Sequence, residues 1–152
     1  MKYVFYYETP VGKIGIAEEN GAIVEISRNV GNTGLKETPL IKKAGIQLAE
    51  YFEGKRKSFD LPLNPSGTDF QKKVWRLLCK IPYGKTASYK ETAAAAGNPN
   101  ASRAVGGANN KNPIMIVIPC HRVIGSNGAL TGYAGGLDMK QKLLDLEKNG
   151  LG

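Results

Sequence analysis

Clusters of apolar residues in the first 28 positions predict three short strands. Residues 2–8, 12–17 and 22–28 are rich in Val, Ile and Tyr, the residue types that favour extended backbone. Asn20-Gly21 separates the last two segments and is typical of a two-residue hairpin turn. The N-terminal part is therefore predicted to begin as an antiparallel meander.

A helical spacing of apolar residues follows the strands. Thr38 can cap a helix that has Pro39 at its first position and Gly54 at its end. One face of this helix carries Ile41, Leu48 and Phe52. We expect it to pack on the meander in a purely structural role.

A break in the pattern then suggests a domain boundary. Residues 61–67 hold two prolines and a glycine, a composition typical of linkers. The 152 residues are enough for two small domains. We therefore predict an N-terminal domain of residues 1–64 and a second domain of residues 65–152.

The second domain is predicted to open with an amphipathic helix. Thr68 can cap it, and its apolar positions are Phe70, Val74, Leu77 and Leu78. Cys79 lies at the end of this helix, where we interpret it as a small buried hydrophobe.

Two more short helices follow, joined by a tight turn. Ser88 and Glu91 have the spacing of a capping box, and the helix that they start runs to Gly97. Asn100 opens the next helix after the turn at 98–99. This arrangement is typical of a helix-turn-helix.

The second of these helices, residues 101–108, combines Arg103 with a run of very small residues. Such a surface can approach another surface closely. It either packs against a neighbouring helix with Arg103 in solvent, or it lies in a groove of DNA.

A cysteine followed by a histidine stands after an apolar segment. Residues 114–118 predict a buried strand that delivers Cys120 at its end. A thiol with a pKa of about 8.5 needs a base or a positive charge to react at neutral pH, and His121 is the sole histidine of the chain. Since successive side chains on a strand point to opposite faces, we expect a bend or a bridging water to connect the pair. Coincidence together with core packing is the alternative.

The C-terminal residues predict a glycine-rich loop and a last helix. The loop, residues 132–136, includes Tyr133 and fits neither a Walker nor a dinucleotide-binding pattern. The helix is capped near Asp138, and one face carries Met139, Leu143 and Leu146. Glu147 is either a surface carboxylate or a partner that orients His121.

Charge is concentrated in the second domain. Residues 1–64 hold nine basic and eight acidic side chains, whereas residues 65–152 hold twelve and five. Within 70–125 only Glu91 opposes nine basic residues. A polyanion such as nucleic acid is the natural partner, and a solvated basic face is the alternative.

Several classes of protein are excluded by composition. Two cysteines and one histidine are too few for an ordinary structural zinc site, so we expect no metal. No segment approaches the ~20 apolar residues of a membrane span, and the start has no signal-peptide core. We expect a cytoplasmic protein without a membrane partner, in which a disulfide is disfavoured.

Three strings in the second domain resemble the O6-alkylguanine-DNA alkyltransferases, also called methylated-DNA:protein-cysteine methyltransferases. The strings are residues 118–123 (IPCHRV), 102–108 (SRAVGGA) and 132–136 (GYAGG). The resemblance covers residues 66–148 in order, and the N-terminal part shares only the outline of meander plus helix. It implies an α/β protein with an RNase H-like N-terminal domain and a C-terminal helix-turn-helix domain of winged-helix-like type.

The same resemblance implies DNA repair by a single, irreversible transfer. The thiolate of Cys120 would take the alkyl group from O6 of guanine, with O4-alkylthymine as a further possible substrate. His121 would deprotonate the thiol through a water, Glu147 would hold the imidazole, and Tyr133 would donate a proton to the guanine oxygen. Asn112 would be the hinge before the active-site segment. The protein would act as a monomer on double-stranded DNA containing alkylated guanine, without a cofactor.

Roles in binding also follow from the resemblance. The second helix of the helix-turn-helix would enter the minor groove, Arg103 would fill the gap left by the extruded base, and Tyr89 would crowd the phosphate. The expected DNA contacts are Tyr89, Ser102, Arg103, Ala104, Gly107, Ala108 and Arg122. The substrate pocket would comprise Val123, Tyr133 and Ala134, with backbone carbonyls around Cys120 and Val123 reading the guanine amine.

The chain departs from the family pattern in three ways. Ala134 stands where some members have a serine, so only its backbone N–H could contact substrate. The N-terminal part lacks the Cys and His ligands with which some relatives bind zinc. We also expect no appended cysteine-rich regulatory domain, so a transcriptional role is not implied. The alternative functions are a non-catalytic helix-turn-helix protein, including a sensor of alkylated bases, and a cysteine hydrolase. Cys120 argues against a sensor, because the sensing relatives lack it.

Overall fold

A computed structural model describes residues 1–130, 132–133 and 135–149. The chain divides into two compact units. Unit 1 comprises Met1–Ser66 together with Pro113–Met115, and unit 2 comprises Gly67–Asn112 and the residues from Ile116 onward. The division lies two residues beyond the expected boundary, and the short segment 113–115 belongs to unit 1.

Unit 1 contains the predicted meander. Strands β1 (Lys2–Thr9), β2 (Gly12–Glu19) and β3 (Ala22–Ser27) form an antiparallel sheet in that order. The hairpin turn has positive φ at Asn20 and Gly21, the backbone that a two-residue turn of this type requires. Apolar side chains of β2 and β3 are fully buried, among them Ile14, Ile16, Ile23 and Ile26.

One helix covers this sheet. Helix α1 (Pro39–Phe52) begins where the capping signal predicts, and the Thr38 hydroxyl accepts a hydrogen bond from the Ile41 backbone N–H at 3.1 Å. Its inner face buries Ile41, Ala44, Leu48 and Tyr51. Tyr51 takes the place that the pattern gave to Phe52, which is only partly buried.

The described part of unit 2 contains four α-helices, one 3-10 helix and two short strands. Their bounds are α2 (Asp69–Leu78), β4 (Ala87–Ser88), α3 (Tyr89–Ala95), α4 (Ser102–Asn110), a 3-10 helix (Cys120–Arg122), β5 (Val123–Ile124) and α5 (Leu137–Asn149). Strands β4 and β5 pair in parallel. Among the described residues of both units, no helix has the length and apolar character needed to cross a bilayer.

Local signals fix the helix-turn-helix. The Ser88–Glu91 capping box is formed at the start of α3. Gly97 has φ +97 after the end of α3, and the backbone N–H of Asn98 donates to Ala93 O, which closes the helix in a Schellman motif. Helix α4 begins at Ser102 rather than at Asn100. Ala101 is its N-cap residue, and no side chain caps the helix.

The predicted strand at 114–118 is not formed. Only Ile114 makes a bridge, to Ile26 within unit 1. The chain then turns, since Ile116 has φ +72, a left-handed backbone that no extended strand contains. The segment is buried, as its composition predicts, but it is a bend that leads into the 3-10 helix starting at Cys120.

Candidate active site

The thiol of Cys120 is enclosed at the start of the 3-10 helix. Only 3% of the residue is exposed. Burial raises the pKa of the thiol to about 11, while a hydrogen bond from the Asn112 side chain and the charge of Lys140 act in the opposite direction. The resting thiol is therefore protonated, in surroundings that already contain groups able to stabilise a thiolate.

His121 and Glu147 form a buried pair beside this thiol. Their Nε2 and Oε2 atoms are 2.6 Å apart, and both side chains are essentially inaccessible. Burial lowers the pKa of His121, so the imidazole is neutral and donates its Nε2–H to the carboxylate. Its Nδ1 is buried and has no hydrogen-bond partner in the described part of the chain. The ring thus presents a free basic nitrogen.

Glu147 is fixed by more than the histidine. Its Oε1 accepts from Arg122 Nε at 2.8 Å and from the Gly84 backbone N–H at 3.2 Å, and its Oε2 accepts from Arg122 Nη2 at 3.0 Å. Of the two interpretations left open by the sequence, a surface carboxylate is wrong, because only 1% of Glu147 is exposed.

Arg122 does not lie on a DNA-facing surface, contrary to expectation. It is 6% exposed, and its guanidinium is held by Glu147 and by Ile81 O, at 2.7 Å from Nη1. The guanidinium also lies 5.8 Å from the centre of the Tyr83 ring. A side chain engaged in this way holds the carboxylate in place, which corrects its assignment as a DNA contact.

Lys140 is a site residue that the sequence reasoning missed. It is fully buried on α5, and its Nζ donates to Val123 O at 2.6 Å. The same Nζ lies 5.9 Å from the centre of the Tyr89 ring, and burial lowers its pKa. The signal for it was its position seven residues before Glu147, which places both polar side chains on the inner face of α5.

Two asparagines bind the backbone around the thiol. Asn112 Nδ2 donates to Ile118 O at 2.8 Å and thereby closes the bend before Cys120. Asn109 Nδ2 donates to Cys120 O at 3.3 Å, and this oxygen also accepts the Val123 backbone N–H. With two donors already in place, the Cys120 carbonyl is poorly suited to the expected reading of the guanine amine.

Helix α4 presents most of its expected DNA contacts outward. Arg103, Ala104 and Gly107 are exposed, and a Cβ added at Gly107 would meet no atom within 4 Å. Ser102 and Tyr89, the first residues of α4 and α3, are partly buried. Ala108 was expected to contact DNA, and this expectation is wrong. The residue is 3% exposed and faces inward, and its carbonyl accepts a hydrogen bond from Trp75 Nε1 at 2.8 Å.

Of the remaining predicted positions, Tyr133 lies a few residues before the start of α5 at Leu137. Tyr133 is buried there, and its carbonyl accepts from the Gly136 backbone N–H at 2.9 Å. Ala134 lies outside the described residues. Cys79, expected to be buried, is exposed at the C-terminal end of α2.

Both units match one family of known proteins. Residues 1–65 match the 6-O-methylguanine DNA methyltransferase ribonuclease-like domain, and residues 69–149 match the DNA binding domain of the same family. The chain belongs to the 6-O-methylguanine DNA methyltransferase family. This confirms the expected α/β fold with a ribonuclease-like first domain and a DNA-binding second domain.

Relatives support the family assignment along almost the whole chain. A methylated-DNA–protein-cysteine methyltransferase of Methanosarcina barkeri is 50% identical over 98% of this chain and 99% of its own length. The constitutive enzyme of that name from Bacillus subtilis is 50% identical over 97% and 96%. The crystal structure of Mycobacterium tuberculosis OGT in complex with DNA matches with a TM-score of 0.91 at 42% identity, covering 97% of this chain and 94% of that one. In this member of the methyltransferase family, the candidate site thus brings together a buried thiol, a buried histidine and a fixed carboxylate.

Proposed function

We propose that this protein repairs DNA by transferring the alkyl group of O6-alkylguanine irreversibly to Cys120. One observation carries the proposal: a buried thiol is followed by a histidine whose Nδ1 is unpartnered in the described residues and whose Nε2 is fixed by Glu147. This is the arrangement of nucleophile, base and orienting group that nucleophilic catalysis requires. Membership of the methyltransferase family supplies the substrate class.

The reaction balances with the groups present. The Cys120 thiol gives its proton to His121 Nδ1 through a bridging water, and the sulfur lone pair forms a bond to the alkyl carbon as the bond from that carbon to O6 breaks. The guanine oxygen leaves with the electron pair, and Tyr133 donates the proton that restores neutral guanine. The Tyr133 phenolate then recovers a proton from the His121 imidazolium through solvent, so both side chains end neutral. The product is a thioether, which water does not hydrolyse. Each molecule therefore acts once.

Charges around the sulfur explain how a thiol of high pKa reacts. Burial keeps it protonated until substrate is present, and Lys140 and Asn112 stabilise the anion that forms during transfer. His121 gains its proton beside the ionised Glu147, which stabilises the imidazolium. The site is built to stabilise charge that exists only during the reaction.

The DNA-binding surface is α4 with its basic surroundings. We assign Arg103 to the gap left by the extruded base and Tyr89 to the phosphate that rotates with it. Unit 1 pairs several cations with acidic residues. In contrast, no ion pair of the described residues involves any exposed cation of residues 72–111, namely Lys73, Arg76, Lys80, Lys85, Lys90, Arg103 and Lys111. Cations without acidic partners are available to phosphates.

The substrate pocket comprises Val123 and Tyr133, with Ala134 as an expected backbone contact. The Val123 carbonyl is held by Lys140 and belongs to the turn that carries the thiol. Single-turnover alkyl transfer is favoured over lesion sensing, since a sensor has no use for a thiol coupled to a base. We infer that one copy acts alone on double-stranded DNA, in the cytoplasm, without a cofactor.

Replacing the thiol tests this function. Cys120→Ser should abolish removal of the alkyl group from duplex DNA containing O6-methylguanine, while affinity for that DNA stays within about threefold, because α4 and not the thiol supplies binding. Cys79→Ser is the matched control and should repair normally. Full repair by Cys120→Ser would overturn the proposal.

A further inference from the structure

Arg122 is a buried cation to which the proposed reaction assigns no step. Only 6% of the residue is exposed. Its Nε and Nη2 donate to the two carboxylate oxygens of Glu147, at 2.8 and 3.0 Å, and its Nη1 donates to Ile81 O at 2.7 Å. A buried ion pair is often no more stabilising than apolar side chains of similar volume. Stability alone therefore does not account for a cation at this place.

The same carboxylate also binds the proposed base. Glu147 Oε2 accepts from Arg122 Nη2 and lies 2.6 Å from His121 Nε2, so the three side chains form one buried cluster. With a neutral imidazole, the guanidinium and carboxylate charges cancel. Without the guanidinium, the cluster would carry one negative charge, and a proton on His121 would remove it. Because burial penalises an uncompensated charge, Arg122 decides which protonation state of His121 is favoured.

The other titratable groups around this cluster lower the pKa of His121 or stay neutral. Burial lowers the pKa of His121, Glu147 raises it, and the charges of Arg122 and Lys140 lower it further. The neutral groups near the cluster share a pKa that is raised by desolvation of the side chain; they are Tyr83, Cys79 and Cys120. Among the described residues, Glu147 is therefore the anion that acts on this imidazole, and Arg122 is bound to both of its oxygens.

We propose that Arg122 is a positioning residue that balances the charge of Glu147, keeps His121 neutral, and so holds the base ready for the thiol proton even at mildly acidic pH. This inference rests on the proposed function, since it takes His121 as the base. Glu147 alone would orient the ring but would also favour its charged form, and an imidazolium has no lone pair at Nδ1 to accept a proton. With Arg122 in place, the carboxylate still accepts the Nε2–H while its charge is balanced. The imidazolium formed during transfer then readily gives up its proton, as the reaction requires.

A titration of the imidazole tests this inference, because His121 is the sole histidine of the chain and its NMR signals need no assignment among several. The carbon-bound ring protons are followed between about pH 5 and 8. The wild-type imidazole should titrate below about pH 6.5. In Arg122→Met the pKa of His121 should lie about 1–3 units above the wild-type value, the usual effect of one neighbouring charge. Arg122→Lys keeps the charge and should stay within about 0.5 unit of the wild type.

The rate of transfer from free O6-benzylguanine provides a second measurement, because it needs no DNA. On acidification, the second-order rate constant of Arg122→Met should begin to fall about 1–3 pH units earlier than that of the wild type. A merely structural role for Arg122 would lower the rate by the same factor at every pH. Lys148→Met is the matched control, since it removes an exposed cation next to Glu147 in the chain, and it should leave the pKa of His121 and the pH profile unchanged.

Urea unfolding covers the case of a variant that folds poorly. A protonated His121 should replace the missing guanidinium as the partner of Glu147, so the unfolding midpoint of Arg122→Met should lie closer to that of the wild type at pH 6 than at pH 8. Should Arg122→Met not fold, Arg122→Gln gives the same comparison, and failure of both to fold at pH 6 overturns the inference. An unchanged pKa of His121 in the folded variant, or a wild-type imidazole that is already charged at pH 7, overturns it as well. Absence of transfer by the wild type at every pH contradicts the proposed function, while the titration still decides the role of Arg122.

Discussion

Replacing Glu147 by glutamine should destabilise unit 2 strongly. The substitution keeps the size of the side chain and removes the charge that faces Arg122, whose guanidinium is 6% exposed. Two short contacts, of 2.8 and 3.0 Å, join the pair, and His121 adds a third of 2.6 Å. Removing one partner of a buried ion pair costs about 3–5 kcal/mol, because the other charge stays buried without compensation. That is a large part of the ~5–15 kcal/mol that stabilises a typical domain.

Urea unfolding followed by tryptophan fluorescence measures this loss selectively. Trp75 is the single tryptophan and lies in unit 2, with its Nε1 bonded to Ala108 O. Its fluorescence therefore reports the unit that contains the pair. Asp145→Asn, on an exposed position of the same helix α5, is the matched control and should change the free energy of unfolding by less than about 0.5 kcal/mol.

A double substitution distinguishes unpaired charge from lost contacts. Glu147→Leu combined with Arg122→Met leaves no unpaired charge of this pair, so it should be more stable than Glu147→Leu alone. A free energy of unfolding for Glu147→Gln within about 1 kcal/mol of the wild type would refute the reasoning. The carboxylate charge would then not be what holds Arg122 and His121.

Three further predictions concern pH, base extrusion and salt. Burial lowers the pKa of His121. Below about pH 6.5, the histidine of the unfolded chain therefore binds a proton that the native state does not bind. The free energy of unfolding should then fall on acidification by up to about 1.4 kcal/mol per pH unit. His121→Gln should flatten that dependence between about pH 6.5 and 5 in urea titrations, since no other histidine is present; a persisting slope would assign it to other groups. Arg103→Ala should slow repair of duplex DNA far more than transfer from free O6-benzylguanine, because extrusion of a base costs on the order of a few kcal/mol and a free base needs none; equal slowing in the two rate assays would remove Arg103 from the extrusion step. We expect Lys73, an exposed lysine of α2, to contact a phosphate. Lys73→Gln should therefore make the slope of log K against log salt shallower by about 0.9, whereas the control Lys42→Gln on α1 should leave the slope unchanged. Equal slopes for the two variants would show that Lys73 makes no such contact.

Features set by neighbouring residues could be predicted from the sequence. The caps at Thr38, Thr68 and Ser88 each bond to the backbone three residues later, so their spacing alone identifies the helix starts. The Asn20-Gly21 hairpin is of the same kind. The bend at residues 114–118 could not be predicted in this way, because a strand and a buried bend have the same apolar pattern. The φ of +72 at Ile116 has no local signal in the sequence, such as a glycine.

The residues of the candidate site likewise differ in whether the sequence could identify them. Cys120 and His121 are adjacent in the chain, and the resemblance identified them. Lys140 and Asn109 were not predicted as site residues, because their hydrogen-bond partners lie 17 and 11 residues away in the chain. A polar residue on the inner face of a helix carries no local signal of what it binds. Arg122 was expected to contact DNA, whereas it is buried against a carboxylate 25 residues later in the chain. Charge predicts a surface only where no such partner exists.

Intact-mass measurement tests the central claim most directly. The full chain is incubated with an excess of duplex DNA containing O6-methylguanine, and its mass is followed until no further change occurs. The account predicts a gain of one methyl group in place of one hydrogen, located by peptide mapping on Cys120 and absent from Cys79, with one lesion removed per protein molecule. Continued removal of lesions by unmodified protein, or a methyl group on any other residue, would contradict it.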